Sequence, residues 1–295
     1  MSESRDRRWT YSICITHYNQ GATLRSSLES ILQERPADSE VVIVDAGSND
    51  GSLSILRSFA AAHDAIRLHV EPGCNRGEGR QLALEIARGA HIIANYDLDQ
   101  TYDTLLAGIL EVYHDLLEAE GDIALRTAGN LFIAPRELLR SVGGYSPLMR
   151  GEDHELTDRL EDRGVLRYLP VKNTQNVTSS KPSARRRARR SFRSAKGLYQ
   201  IGFSPTQIFQ FLLRKHPPHI AVAGVPIFAA GILAGVLDGR VYTARKKNWR
   251  EIFEMSARPT YEDIVVEIPP ELAQYAVAHE TRSERSSNPS TASSD

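Results

Sequence analysis

Over the first 170 residues of the chain, short apolar runs alternate with amphipathic ones. Tyr11 to Thr16 is rich in β-formers, ends at the polar group His17, Tyr18, Asn19, and reads as a strand. Leu24, Leu28, Ile31 and Leu32 recur at helical spacing and stop before Pro36, predicting a helix that packs one face on a sheet. Val41 to Val44 is apolar without alternation, as suits a strand covered on both faces, and Ala46 to Ser52 is a turn opening a helix with Leu53, Leu56 and Phe59 on its core side. A strand at Ile66 to Val70, a short helix at Gln81 to Arg88 and a strand at His91 to Tyr96 follow. A long amphipathic helix is expected from about Tyr102 to Leu117, a strand at Asn130 to Ala134, and helices at Arg136 to Val142 and Glu152 to Arg163. This β-α alternation predicts an α/β fold, a mainly parallel sheet flanked by helices, with ligands beyond the carboxyl ends of its strands.

Composition narrows the class. The 295 residues are 41% apolar and 25% charged, which excludes collagen-like, disulfide-stapled and wholly disordered chains. Cys14 and Cys74 are the two cysteines and the nine histidines show no metal-ligand spacing, so neither a disulfide framework nor a structural zinc site is expected. Met1 to Thr10 has no apolar stretch of the signal-peptide kind, and the body is expected in the cytosol.

The net charge of −1 hides a split: Arg163 to Leu237 holds thirteen Lys or Arg and no Asp or Glu. The densest part, Arg185 to Arg187 with Arg189, Arg190, Arg193 and Lys196, leads into apolar and aromatic positions from Leu198 to Leu213, a pattern expected of an anionic membrane surface. Nucleic acid is not expected, because no DNA- or RNA-binding motif accompanies the arginines. Ile220 to Leu237 is eighteen residues without a charge, the minimum for a membrane segment, with a G-x-x-x-G spacing at Gly231 and Gly235; a re-entrant or interfacial segment and a buried helix pair in the body are the alternatives. The chain thus divides into a catalytic domain over 1–178, a basic amphipathic and apolar membrane-associated region over 179–250, and a tail over 251–295 whose serine-rich end is expected to be disordered.

Chemistry gathers where the strands end. Asp97 and Asp99 follow an apolar strand two residues apart, so one turn can aim both at a divalent cation that completes its shell with water and phosphate. Their company is Tyr18, Asp45 and the later Glu152-Asp153. Val42 to Ser52 (VIVDAGSNDGS), Gly77 to Ile86 (GEGRQLALEI), Asp97 to Asp99 (DLD), Gly129 to Pro135 (GNLFIAP), Val142 to Tyr145 (VGGY) and Gly151 to Leu156 (GEDHEL) stand in the order seen in family 2 glycosyltransferases. The chain resembles that family over about residues 11 to 170.

The resemblance implies a GT-A fold and an inverting transfer of a sugar from a UDP- or GDP-linked donor. It implies that Thr16, Tyr18, Asp45, Arg76, Arg80 and Asp97 contact the nucleotide sugar, that Asp97 and Asp99 hold Mn2+ or Mg2+, and that Asp153 is the catalytic base. Two positions depart from the common pattern: Ala46 and Gln100 stand where many relatives carry acids. No Gln-x-x-Arg-Trp motif of processive polymerases is present, which favours transfer of one sugar. With the membrane reading, the expected acceptor is a lipid-linked or other glycan at the cytosolic membrane face. The alternative is a catalytically inactive membrane-bound nucleotide-binding or scaffold protein; homo-oligomerisation stays open.

Overall fold

The computed structural model describes residues 10–102, 105–172, 174–176, 184–215, 218–242 and 264–277. The expected divisions after 178 and after 250, and the serine-rich end, lie outside the described residues. The elements are β1 (Tyr11–His17), α1 (Gly21–Glu34), β2 (Ser39–Asp45), α2 (Ser52–Ala62), β3 (Ile66–Val70), α3 (Arg76–Ile86), β4 (His91–Ala94), β5 (Gln100–Tyr102), α4 (Leu106–Glu120), β6 (Ala124–Thr127), β7 (Phe132–Pro135), α5 (Arg136–Ser141), α6 (Glu152–Asp162), β8 (Leu166–Leu169), β9 (Thr174–Asn176), α7 (Ala184–Gln200), α8 (Pro205–Lys215) and α9 (Pro218–Asp238), followed by a 3-10 turn, Pro270–Tyr275.

The main sheet has the order β3-β2-β1-β4-β7-β6-β8, and β5 pairs with β9 in a separate ribbon. From β3 to β4 every pairing is parallel, as the alternation predicts. Beyond β4 the sheet is mixed, because β7 runs antiparallel to both β4 and β6 while β6 and β8 are parallel. Ile13, Ile15, Val41 and Ile43 face one core with Leu24, Leu28 and Ile31 of α1. Cys14, Val42 and Val44 face the other with Ala83 and Leu84 of α3. That two-sided burial is why β2 lacks polar alternation.

Four short strands were not expected, β5, β6, β8 and β9. Each is three or four residues long, and each is fixed by partners distant in sequence: β6 pairs with β8 through Ala124↔Leu166 to Thr127↔Leu169. The β8 edge does not stay open. Tyr168 N donates to Ile264 O at 2.8 Å and Val266 N to Tyr168 O at 2.9 Å, so part of the expected tail shields it.

The expected membrane segment is overturned, and with it the placement at the membrane face. Among the described residues no helix is long and apolar enough to cross a membrane. The apolar run forms α9, whose small residues serve a contact inside the chain. A Cβ on Gly231 would lie 2.5 Å from Phe192 O and 2.8 Å from the Ala195 Cβ, and one on Gly235 would lie 2.7 Å from the Tyr199 ring. The G-x-x-x-G spacing therefore seats α9 on α7, and Phe228 and Ile232 are buried there with Ala195, Leu198 and Ile201. Lys196 and Gln200 of α7 both bind Asp238 at the end of α9, at 2.7 and 2.9 Å. An apolar run records that a helix seeks burial, not whether lipid or another helix provides it.

Candidate active site

The carboxyl ends of β1 and β2 are bound into one unit. Asp45 is fully buried; its Oδ1 accepts from Gly47 N (3.0 Å) and Ser48 N (2.8 Å), and its Oδ2 from the Ser48 hydroxyl (2.6 Å). His17 Nδ1 lies 2.7 Å from the same Oδ2. Burial opposes ionisation here, but the bonds from Ser48 and His17 prevail and hold the Asp45 carboxyl below the usual range. Asn19 bonds Ser48 and Asn49, and Asp50 accepts from Gly21 N, so the turn leaving β2 is tied to the one leaving β1. The structure thus places Asp45 as the pin of this loop. Tyr18, by contrast, is 53% exposed at the strand end, with its ring open to a stacking partner. Thr16 is half-buried, its methyl packed on Gly79 of α3.

The second wall is α3. Its start is fixed by a capping box: Glu78 N donates to Asn75 Oδ1 and Asn75 N to Glu78 Oε2. Gly77 approaches residues 146–148 so closely that its N–H bonds Leu148 O at 2.9 Å. Arg76 and Arg80, one turn apart, lie on one face. Arg80 Nη1 is 3.2 Å from Glu152 Oε1, Arg76 Nε is 3.8 Å from that oxygen, and the Arg80 guanidinium lies over the Tyr145 ring at 5.8 Å.

Asp97 and Asp99 come from the turn after β4. Asn95 takes the left-handed conformation, φ 69°, and ends the strand two residues before the expected Tyr96. Tyr96 and Leu98 then point into the core, and Asp97 and Asp99 lie between and beyond them, half-buried. Tyr102 closes the turn through its hydroxyl, which accepts from Asp97 N and donates to Asp97 O, while the Thr23 hydroxyl donates to Leu98 O at 2.7 Å. Burial raises the Asp97 carboxyl above the usual range; Arg76 and Arg80 counter this, whereas Asp99 and Asp153 add to it.

Gly151, at φ 90°, turns the chain into α6 and presents Glu152 and Asp153 in its first turn. The two acids differ. Glu152 is 1% exposed, and burial together with Asp153 raises its carboxyl despite Arg80 and Arg76. At Asp153 burial is outweighed by the charges of His154, Arg80, Arg126 and Arg76, which hold the carboxyl well below the usual range. Arg126 Nη2 lies 4.0 Å from Asp153 Oδ2 and is itself aimed by Thr157 and Asn130. Neighbouring acids held in environments that differ in this way are a feature that acid-base sites use.

The structure therefore brings Arg76, Arg80, Asp99 and Asp153 into electrostatic range of Asp97 and leaves Asp45 and Tyr18 in the neighbouring loop unit. Arg126 and the part played by Glu152 were missed in the sequence. Arg126 stands in β6, too short to be read, and only its pairing partners could have revealed it.

Residues 12–124 match the family model for glycosyl transferase family 2. Over those residues the chain carries a family 2 glycosyltransferase domain, on a GT-A fold. Among solved structures it is similar to the mannosyltransferase PcManGT of Pyrobaculum calidifontis, solved with GDP-Man and Mn2+, with a TM-score of 0.52 at 19% identity over 85% of this chain and 80% of that one. Among curated relatives it is 28% identical to the glycosyltransferase YibD of Escherichia coli over 45% of this chain and 40% of that protein. To the lipopolysaccharide core biosynthesis glycosyltransferase LpsC of Rhizobium meliloti it is 34% identical over 54% and 52%. The chain thus spans about half or less of these curated relatives' lengths.

Within the glycosyltransferase domain, a divalent cation fits the donor set at Asp97 and Asp99. Among the described residues no group of three or more His, Cys, Asp or Glu could hold a metal by itself, so a full protein cage is absent there. Asp97 is nonetheless a half-buried acid for which the two arginines do not fully offset the cost of burying its charge. Two such carboxylates suit Mn2+ or Mg2+ when phosphate oxygens and water supply the remaining ligands.

Proposed function

We propose that the protein is an inverting glycosyltransferase that moves a single sugar from a UDP- or GDP-linked donor to a hydroxyl of a glycan acceptor. The observation that carries this reading is the grouping of Arg76, Arg80, Asp97, Asp99 and Asp153 beyond the strand ends of a family 2 domain. The lipid anchor expected of the acceptor rested on the membrane segment and has no support in the fold.

Tyr18 stacks on the nucleotide base, and the loop pinned by Asp45 shapes the pocket around the nucleoside. Arg76 and Arg80 meet the diphosphate. Asp97 and Asp99 would hold Mn2+ or Mg2+, which supplies charge stabilisation for the leaving diphosphate. The acceptor oxygen attacks the anomeric carbon from the face opposite the donor phosphate. The bond to the phosphate oxygen breaks with its electron pair, and the acceptor proton passes to an Asp153 carboxylate oxygen. Arg76 and Arg80 are among the cations that hold the Asp153 carboxyl down. A diphosphate that takes up their charge raises the proton affinity of Asp153 when the acceptor must release its proton.

The test is a calorimetric screen of UDP- and GDP-linked sugars with manganese, with and without chelator, followed by an assay of sugar release or transfer. Metal-dependent binding of one donor, lost in Asp99→Ala, and turnover lost in Asp153→Asn with binding kept, are expected. Failure of every donor to bind the unaltered protein would refute the reading.

A further inference from the structure

The segment 146–151 is clamped from two sides. Gly77 of α3 presses on it from one, since a Cβ there would lie 2.6 Å from Leu148 N. Gly197 of α7 is seated on it from the other: its Cβ would overlap Arg150 O and lie 3.5 Å from the Arg150 Cβ. Leu148 is buried among Ala195, Leu198 and Ile201. Arg150, three residues before Asp153, is therefore fixed between the catalytic helix α6 and the basic helix α7.

Arg190 precedes Gly197 by seven residues, about two turns, so both lie on the α7 face that meets Arg150. Neither Arg150 nor Arg190 has an ion pair among the described residues, whereas Arg80 has Glu152 and Arg126 has Asp153. Burial, then the charge of Arg190, then that of Arg76 push the Arg150 guanidinium below its ordinary pKa, against weaker support from Asp153 and Glu152. Like charges held near one another, Arg150 half-buried and Arg190 exposed on α7, with only weaker offset from Asp153 and Glu152, stand ready for an anion.

This cluster differs from the one expected to meet the donor. The strongest charges on Asp97 are Arg76, Arg80, Asp99 and Asp153, while those on Arg150 are Arg190, Arg76, Asp153 and Glu152. Arg76 and Asp153 belong to both. Arg190 lies on α7 and Arg150 in the segment packed on it, whereas the proposed nucleoside site lies at the β1 and β2 ends.

We propose that Arg150 and Arg190 form a subsite for an oxyanion, a phosphate ester or carboxylate, carried by the acceptor and held beside Asp153. This rests on the transferase reading for the word acceptor; the anion site itself does not.

The experiment uses the full chain and inorganic phosphate as probe, at constant ionic strength, with binding read by calorimetry. Arg150→Gln and Arg190→Gln should each weaken the phosphate Kd about tenfold, the loss of one charge-assisted pair. Arg189→Gln, an exposed neighbour off that face, should leave it unchanged. In a second arm, UDP and GDP are titrated with manganese. Their binding should persist in saturating phosphate and in both variants. Competition between phosphate and nucleotide, or an equal loss of nucleotide affinity in the variants, would assign these arginines to the donor diphosphate and overturn the proposal. No phosphate binding by the unaltered protein, with nucleotide binding intact, would also overturn it. Absence of nucleotide binding alone would instead strike at the transferase reading.

Discussion

Replacing Gly77 by alanine sets two effects of opposite sign against each other. In a helix, glycine to alanine is ordinarily favourable by about 0.5–1 kcal/mol, because the backbone loses freedom it would otherwise surrender on folding. Here the new methyl would lie 2.6 Å from Leu148 N and 2.9 Å from Leu148 O, and would overlap Ser146 O. All three atoms are backbone, so no rotamer relieves the clash, and the segment must retreat by roughly 1 to 1.5 Å to reach ordinary contact near 3.5 Å. That retreat threatens the bonds from Gly77 N to Leu148 O (2.9 Å) and from Asn75 Nδ2 to Pro147 O (3.2 Å). With about 1–3 kcal/mol for overpacking and about 1 kcal/mol for a lost bond, less the helix gain, the net is a destabilisation of about 1–3 kcal/mol. The same segment leads through Arg150 into Asp153, the proposed base, and a displacement of about 1 Å at a reacting group costs on the order of a hundredfold in rate. Urea unfolding and donor turnover measure the two effects. Gly108→Ala in α4 is the control, because its methyl meets only the flexible Leu272 side chain and should change stability by less than about 1 kcal/mol. If Gly77→Ala matched or exceeded the native stability with turnover unchanged, the clamp on 146–148 would not exist.

Other perturbations probe separate parts of the fold. Asp45→Ala removes the acceptor for Gly47 N, Ser48 N, the Ser48 hydroxyl and His17, and should cost about 2–4 kcal/mol in urea unfolding. Because the folded Asp45 carboxyl lies below its ordinary value, its contribution is full above about pH 4 and fades as pH falls further; Asp45→Asn should flatten that part of the stability profile. Glu152→Ala strips a buried partner from Arg80 and should cost about 3–5 kcal/mol, with Glu152→Gln losing less; equal and small losses in thermal unfolding would show that the pair is not desolvated. Gly235→Leu should part α9 from α7 and raise amide exchange in those two helices while β1, β2 and β4 keep their protection.

The N-terminal half was legible because its signals are local. β1, β2, β3 and α1 follow from runs and periods within a dozen residues, and the acids at the ends of β2 and β4 are visible as breaks in apolar strands. Asp97, Asp99 and Asp153 could be named for the same reason, each standing in a recognisable turn or helix start.

What each acid does was decided in three dimensions. The sequence put Asp45 and Asp97 on an equal footing, yet one is saturated by Gly47, Ser48 and His17 and the other is left with carboxyl neighbours. The difference lies in partners far along the chain, which no local period encodes. The run from Ile220 to Leu237 gave the clearest case. Its composition called for burial, but which face protein covers depended on small residues of α9 meeting α7 thirty to forty positions earlier: Phe228 and Ile232 are buried there, while Val225, Leu233, Val236 and Leu237 stay exposed. Hydrophobicity sets the demand for burial. Shape complementarity between distant segments chooses what answers it, and so the tertiary structure alone brought Arg126 to Asp153 and Arg190 to Arg150.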